Sequence, residues 1–398
     1  MKDLIVALAL TLVVQAMISM AAFTPAILAP VAQADIGVTA SSIGIFTALI
    51  YIVASLSAPV GGTFIARHGA VRVSQYCLLL SGSGLALCAA AHPLALAAGA
   101  LLMGSGYGAV TPASSEILLT HSPERARNLI LSIRQTGVPV GGAIAGAVVP
   151  MLLLASGWKA AALVIAALGM LCALGLEPSR SRYDNVRPDV APTPRPSLAS
   201  LLRMVFAHAE LRQGALASFT YAGIQMCLGS FLVVFLTERA GVSLGHAGAA
   251  FSTAMIGGIV GRIVWGLVAD AIGSARVVLG ALGVVMALSA FVMSQVDSGW
   301  PLAAIVALCA VFGTTAIGWN GVYIAEIARI APGGNVALAI GASLAFTYLG
   351  VVVAPFGFWL MVALTGSYAL PFIVIGAVTL AGAASYFRKF APRDAAAG

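Results

Sequence analysis

The chain has 398 residues, of which 61% are hydrophobic and only 8% charged, and it carries a formal net charge of +7. A soluble domain averages roughly 25% charged residues, so this composition cannot coat a water-facing globule and requires lipid as the main solvent. In a bilayer every backbone polar group needs an internal partner, which leaves helices or a closed barrel. The apolar runs here far exceed the ~10-residue alternating segments of barrel strands, so helices are expected.

In chain order the spans are expected at 4–28, 41–66, 72–91, 94–118, 129–154 and 159–177, then 212–237, 246–270, 275–296, 300–328, 335–363 and 367–388. Each approaches or exceeds the ~20 residues that cross a hydrocarbon core. Lys2, the first run and the triplet Ala32, Gln33 and Ala34 imitate a secretory signal. That run is nevertheless longer than the usual ~7–15-residue signal core, and a retained first span is expected. The five cysteines, Cys77, Cys88, Cys172, Cys227 and Cys309, all lie within apolar runs without ligand-like spacing. They predict packed small hydrophobes, with no disulfide framework, metal site or cofactor.

Between the sixth and seventh spans lies the long polar stretch, with Arg180, Arg182, Arg187, Arg195 and Arg203 and five prolines from Pro178 to Pro196. Such density of proline and charge suits an extended linker. A short interfacial helix is expected near 198–209. The organisation is therefore a six-helix half over 1–178, a linker over 179–211 and a second six-helix half over 212–398.

With both termini cytoplasmic, Lys2, Arg67, Arg72, Arg125, Arg127, the five linker arginines, Arg212, Arg276, Arg329, Arg388, Lys389 and Arg393 share the cytoplasmic side, which is 16 of the 20 basic residues. Only Lys159 and Arg239 fall opposite. This bias orients the protein and accounts for the net charge without nucleic acid. The compact loops and the absence of sorting extensions point to a bacterial inner membrane. Arg134 and Arg262 remain, both inside spans.

The two halves echo each other. Gly62 and Gly69, after the second span, recur as Gly266 and Gly273 after the eighth, 204 residues later. Glu116 and Pro123 recur as Glu326 and Pro332, Asn128 as Asn335, and Ser156, Gly157 and Trp158 as Thr365, Gly366 and Ser367. A parallel repeat of this kind supports alternating access around a central site. A channel merely stabilised by its repeat is the alternative reading.

Gly266, Asp270 and Gly273, followed by Arg276, resemble the loop signature of the major facilitator superfamily, and the span count, linker and repeat extend the resemblance over the whole chain. It implies an all-α membrane protein of twelve transmembrane helices in two pseudo-symmetric halves, working as a secondary transporter rather than an enzyme. It also implies a charge network gating the cytoplasmic side, formed by Asp270 and Arg276 with Glu326, Arg329 and Glu116. In the first-half copy Ala66 stands where the aspartate belongs, although Arg67 and Arg72 remain, so a weaker latch is expected there. Loop charges that only anchor helix ends at headgroups are the simpler alternative.

The fifth span contains Gly137, Gly141, Gly142 and Gly146, spaced for close helix contact. With Pro139 it partly resembles the glycine–proline motif of family exporters, but Val138 separates Gly137 from the proline. The two arginines are more informative. A charge at mid-span costs ~2.5–3.5 kcal/mol on insertion scales and normally faces a cavity or a partner. Arg262 lies eight residues before Asp270, about 12 Å deeper along a helix. Its repeat-mate is Ala58, and that of Arg134 falls at Gly341 to Ser343, so neither arginine belongs to the shared scaffold. In the family's fold the fifth and eighth spans face each other, which implies that both guanidinium groups reach one cavity.

An arginine at this place on the eighth span also resembles the anion-binding arginine of nitrate/nitrite porters and of monocarboxylate and oxalate carriers, and the chain as a whole resembles the organic-anion and cyanate-permease-like branches. The second arginine of nitrate porters is missing at Ala58, which argues against nitrate. The thirteen acids all lie in loops or near span ends, whereas an exporter of cationic drugs would want a buried carboxylate. A bound carboxylate would match the guanidinium fork bidentately.

The expectation is a transporter of a small organic anion, with Arg262 as principal ligand and Arg134 as a second ligand or gate. Gln15, Tyr51, Tyr107, Tyr221, Gln225, Trp319, Asn320, Tyr323 and Tyr348 are candidates to complete the pocket. Protons are a candidate coupling ion for symport, with uniport and exchange as alternatives, and a monomer is the expected state. A drug or metabolite exporter is the second reading, and a non-transporting membrane sensor on the same fold is a third.

Overall fold

A computed structural model of the chain describes residues 2–123, 127–184, 198–332 and 336–387. Arg125, Glu124, Arg187, Arg195, Asn335, Arg388, Lys389 and Arg393, which enter the charge and repeat expectations, lie outside the described residues, as do four of the five linker prolines. Among the described residues the protein is helical throughout, without strands, and eleven helical stretches are long and apolar enough to cross a membrane.

The first half comprises α1 (Lys2–Ile36), α2 (Ile43–His68), α3 (Ala70–Cys88), α4 (Pro93–His121), α5 (Arg127–Gln135) and α6 (Gly137–Gly175). Two short helices, α7 (Arg180–Tyr183) and α8 (Leu198–Ala207), lie between the halves. The second half comprises α9 (Ala209–Glu238), α10 (Leu244–Ile272), α11 (Ala275–Met293), α12 (Leu302–Ala316), α13 (Asn320–Arg329), α14 (Val336–Thr365) and α15 (Ala369–Tyr386). Helix α6 holds two crossings, because Gly157 sits at φ 82°, ψ 164° and turns the chain back between them. Twelve crossings result. A left-handed φ is accessible to glycine at no steric cost, which is why the turn falls there.

Backbone conformation repeats between the halves. The glycines with positive φ form three pairs: Gly37 with Gly241, Gly69 with Gly273, and Gly157 with Gly366. The last two pairs coincide with the sequence echoes, and the first adds the turn that follows the first and seventh spans. Large apolar side chains such as Leu94, Leu154 and Leu364 are 74, 81 and 76% exposed on the outer surface, as suits a lipid-facing wall.

Two expected spans are divided. The fifth is broken at Thr136, between α5 and α6, and the tenth at residues 317–319, between α12 and α13. The first break has a covalent cause. Pro139 has no N–H for the carbonyl of Gln135, four residues earlier, so the helical ladder loses a rung there. In the tenth span Gly318 sits in the break, close under the Thr314 carbonyl and Gly261.

The halves meet on the face opposite the linker. There Thr47 and Ser230 hydroxyls are 2.9 Å apart, the Ser252 hydroxyl donates to the Ala143 carbonyl at 2.8 Å, and Phe23 meets Phe251 edge to face at 5.5 Å. Gly146 and Gly248 let α6 and α10 touch backbone to backbone. Toward the linker face the halves diverge: after Gly261 no residue of α10 is buried. The result is a cavity between the halves that widens toward the linker.

Helix α8 answers to the expected interfacial helix. It is not merely surface-lying, because Val205 is fully buried against Ala215 and Ala342, and Phe206 meets Phe346 at 6.0 Å.

Candidate functional site, an arginine cavity between the halves

The cavity has a volume of about 310 Å³ and is lined by α1, α2, α4, α5 and α6 from one half and α9, α10, α13 and α14 from the other. Gln15, Tyr51, Gln225, Arg262, Trp319, Asn320 and Tyr348 all reach its wall, as do Tyr107 and Tyr323. Nine of the eleven candidate residues are thus brought together by folding.

Arg262 is the charged residue on this wall, and among the described residues no carboxylate lines it. Among the described residues its guanidinium is held by backbone alone: Nη1 donates to the Gln135 carbonyl at 2.9 Å, and Nε to the Ile317 carbonyl at 3.3 Å. These carbonyls belong to the two divided spans, one from each half. A helix C-terminus carries partial negative charge, so both breaks suit a cation. One turn further along α10, the Trp265 indole donates to the Thr314 carbonyl at 2.9 Å, and two side chains of α10 therefore satisfy the broken ladder beside them.

Beside Arg262, where Asn320 shares the Ile317 carbonyl with it, a polar cluster is fixed by the Gln225 amide oxygen. It accepts from the Trp319 indole at 3.0 Å and from the Asn320 amide at 3.4 Å. Trp319 is buried and meets Tyr221 at 5.7 Å and Tyr323 at 5.2 Å, edge to face in both cases. Tyr51 and Tyr107 pair across α2 and α4 at 5.2 Å.

Two candidates do not reach the wall. Tyr221 is fully buried and its hydroxyl donates to the Leu279 carbonyl at 2.8 Å, so it joins α9 to α11. One helical turn from Gln225 along the sequence, it faces the interior of its own half instead. Arg134, 1% exposed, lies behind the wall. It donates to Gln15 at 2.6 Å, Ser114 at 3.1 Å, Gln135 at 3.2 Å, the Val110 carbonyl at 3.3 Å and Thr111 at 3.4 Å. The implied convergence of both guanidinium groups on one cavity is corrected accordingly. Neutral dipoles solvate Arg134 in the protein interior, and among the described residues neither arginine has an ion-pair partner.

Sequence reasoning passed over Gln135. Its carbonyl holds Arg262, its amide oxygen accepts from Arg134, and it lines the cavity. The available signal was its position beside Arg134 and four residues before Pro139.

The expected gating charges are dispersed. Glu326 is buried and grips Arg329 with two contacts of 2.8 Å within α13. Arg276 donates from Nε to the Tyr386 carbonyl at 2.8 Å. Asp270 and Glu116 are exposed and form no ion pair among the described residues. In the first half Arg67 is exposed, whereas Arg72 meets Glu177 at 3.2 Å. Glu177 also binds Arg180 at 2.7 Å and Gln75 at 2.9 Å, and Asp184 accepts from the Val71 N–H at 2.7 Å. Acids at the start of the linker thus occupy the loop that lacks its aspartate at Ala66.

Several known proteins are similar to this one. The probable sulfoacetate transporter SauU of Cupriavidus necator is 25% identical over 390 residues, covering 89% of this chain and 86% of that protein. A gallate transporter of Pseudomonas putida is 26% identical over 379 residues, covering 81% and 84%. Among solved structures, a bacterial homologue of the human lysosomal transporter Spinster, inward-facing and unoccupied, superposes with a TM-score of 0.77 at 15% identity over 97% of this chain and 96% of that one. A variant of the nucleoside transporter NupG gives the same score and identity over 95% and 98%. These structural likenesses bear on the fold alone. With the sequence matching the Major Facilitator Superfamily over residues 10–355, the chain belongs to that family.

Proposed function

We propose that this protein is a secondary transporter that moves a small organic anion, a carboxylate, by rocking of its two halves about the central cavity. The observation that carries the reading is Arg262: a guanidinium on the cavity wall, bound only by carbonyls, with no carboxylate beside it among the described residues. Carbonyl dipoles solvate the cation but leave its formal charge uncompensated, so a carboxylate entering the cavity gains a charge-assisted, bidentate contact. Tyr51, Tyr348, Gln225 and Asn320 supply neutral donors and acceptors for the rest of the cargo. Sulfoacetate and gallate, the substrates named for the two relatives, both carry a carboxylate.

Arg134 acts in this scheme behind the wall, fixing Gln15 and Gln135. With no acid on the described wall, a co-transported proton would travel on the cargo's carboxylate or on Glu116 at the linker end of α4. Placement in a bacterial inner membrane with both termini cytoplasmic is supported by the distribution of basic residues and the compact loops, and a monomer is part of the same proposal.

The test is a thermal-shift screen of purified protein against small carboxylates and sulfonates, repeated on Arg262→Ala. Stabilisation by at least one carboxylate, abolished in the variant, is the expected result. A panel without effect, or a variant that responds like the wild type, would overturn the anionic cargo.

A further inference from the structure

The contact between Arg262 and Gln135 joins the halves at the point where they begin to diverge, and Pro139 frees the carbonyl that makes it. Pro139 cannot give Gln135 the N–H that an α-helix would supply four residues on. The carbonyl accordingly points out of its helix and accepts from Nη1 of Arg262 at 2.9 Å, across the interface between α5 and α10. On the other side of the guanidinium, Nε is held within the second half by Ile317. Arg262 therefore has one contact that any opening between α5 and α10 must break and one that moves with its own half.

We propose that the Gln135 carbonyl is the resting counter-ligand of Arg262 and that an arriving anion displaces it, so that cargo binding unlatches the first half from the second. The inference rests on the anionic reading above and adds the device that couples binding to movement. Carbonyl and anion compete for the same N–H groups, and competition of this kind is reciprocal: whatever removes the latch strengthens the anion, and whatever binds as anion loosens the latch. Gln135 also receives a bond from Arg134 through its side chain, which holds the residue in register behind the wall. Pro139 and Gln135 are positioning residues in this scheme, acting through Arg262.

Pro139→Ala and Pro139→Val both restore an N–H that can satisfy Gln135 within its helix, and agreement between them separates the backbone effect from side-chain packing. Spin labels on unnatural amino acids at Thr120 and Ile272, both exposed near the linker-side ends of α4 and α10, report the separation of the halves in the full chain by double electron–electron resonance. In the empty protein both Pro139 variants should give a longer or broader distance distribution than the wild type. Binding of gallate or sulfoacetate should tighten about tenfold, the scale of one hydrogen bond to a charged group, and should still vanish with Arg262→Ala. An unchanged distance distribution in the empty variants overturns the latch, whatever binds. Unchanged affinity together with Arg262-dependent binding overturns the displacement. If neither anion binds any form of the protein, the cargo assignment fails, and the distance measurement still judges the latch by itself.

Discussion

Arg134 and Arg262 sit on facing spans, and the protein treats them in opposite ways. Arg134 is enclosed by its own half and receives five neutral acceptors from α1, α4 and its neighbour Gln135. Arg262 faces a cavity, holds two carbonyls and bridges both halves. A mid-membrane cation can thus be made tolerable either by enclosure among dipoles or by facing a cavity. In the proposed scheme only the second leaves a site for cargo.

The largest effect that would break this contrast is on binding. Arg262→Ala should weaken a bound carboxylate by about 30-fold or more, matching the ~2 kcal/mol lower end for truncating one partner of a buried charged pair. Isothermal titration of wild type and variant checks it, and equal affinities would erase the distinction. Arg134→Ala should instead act on stability. It leaves the Gln15 amide oxygen without its donor in the interior, at a cost of ~1–3 kcal/mol measured as a lower unfolding midpoint in detergent. Its effect on anion affinity should be smaller than that of Arg262→Ala, and the reverse order would exchange the roles of the two arginines.

Tyr221→Phe sharpens the comparison from the packing side. Losing the bond to the Leu279 carbonyl should cost about 1 kcal/mol of stability with no change in anion affinity. A variant with wild-type stability and weakened binding would return Tyr221 to the site. The smallest expected effect is that of Asp270→Asn, within about ±0.5 kcal/mol, because an exposed charge with no ion-pair partner among the described residues contributes little to the conformation described. Its transport rate is the more telling measurement: a clear loss would show that Asp270 acts in another state of the cycle.

The loops after α2 and α10 give a second contrast. The second-half copy keeps its signature aspartate at Asp270, while the first-half copy has Ala66 and borrows Glu177 and Asp184 from the start of the linker. The expected weakness of that loop is thus offset by acids distant in sequence, which the repeat alone did not reveal.

By itself the sequence determined the solvent, the helical class, the number of crossings and the loop-side bias of charge, because each follows from composition and from the length of apolar runs. It also determined the turn glycines of the repeat, since a left-handed backbone selects glycine locally. Tertiary structure decided which polar residues share a space. Tyr221 and Gln225 are a helical turn apart, yet one packs inside its half and the other lines the cavity, because packing against α14 and α15 sets the rotation of α9. It also decided that Arg134 would be enclosed and Arg262 accessible, and that Gln135 would touch both. Those outcomes depend on where α5 and α12 break and how α10 crosses them, distances that no period in a single chain encodes.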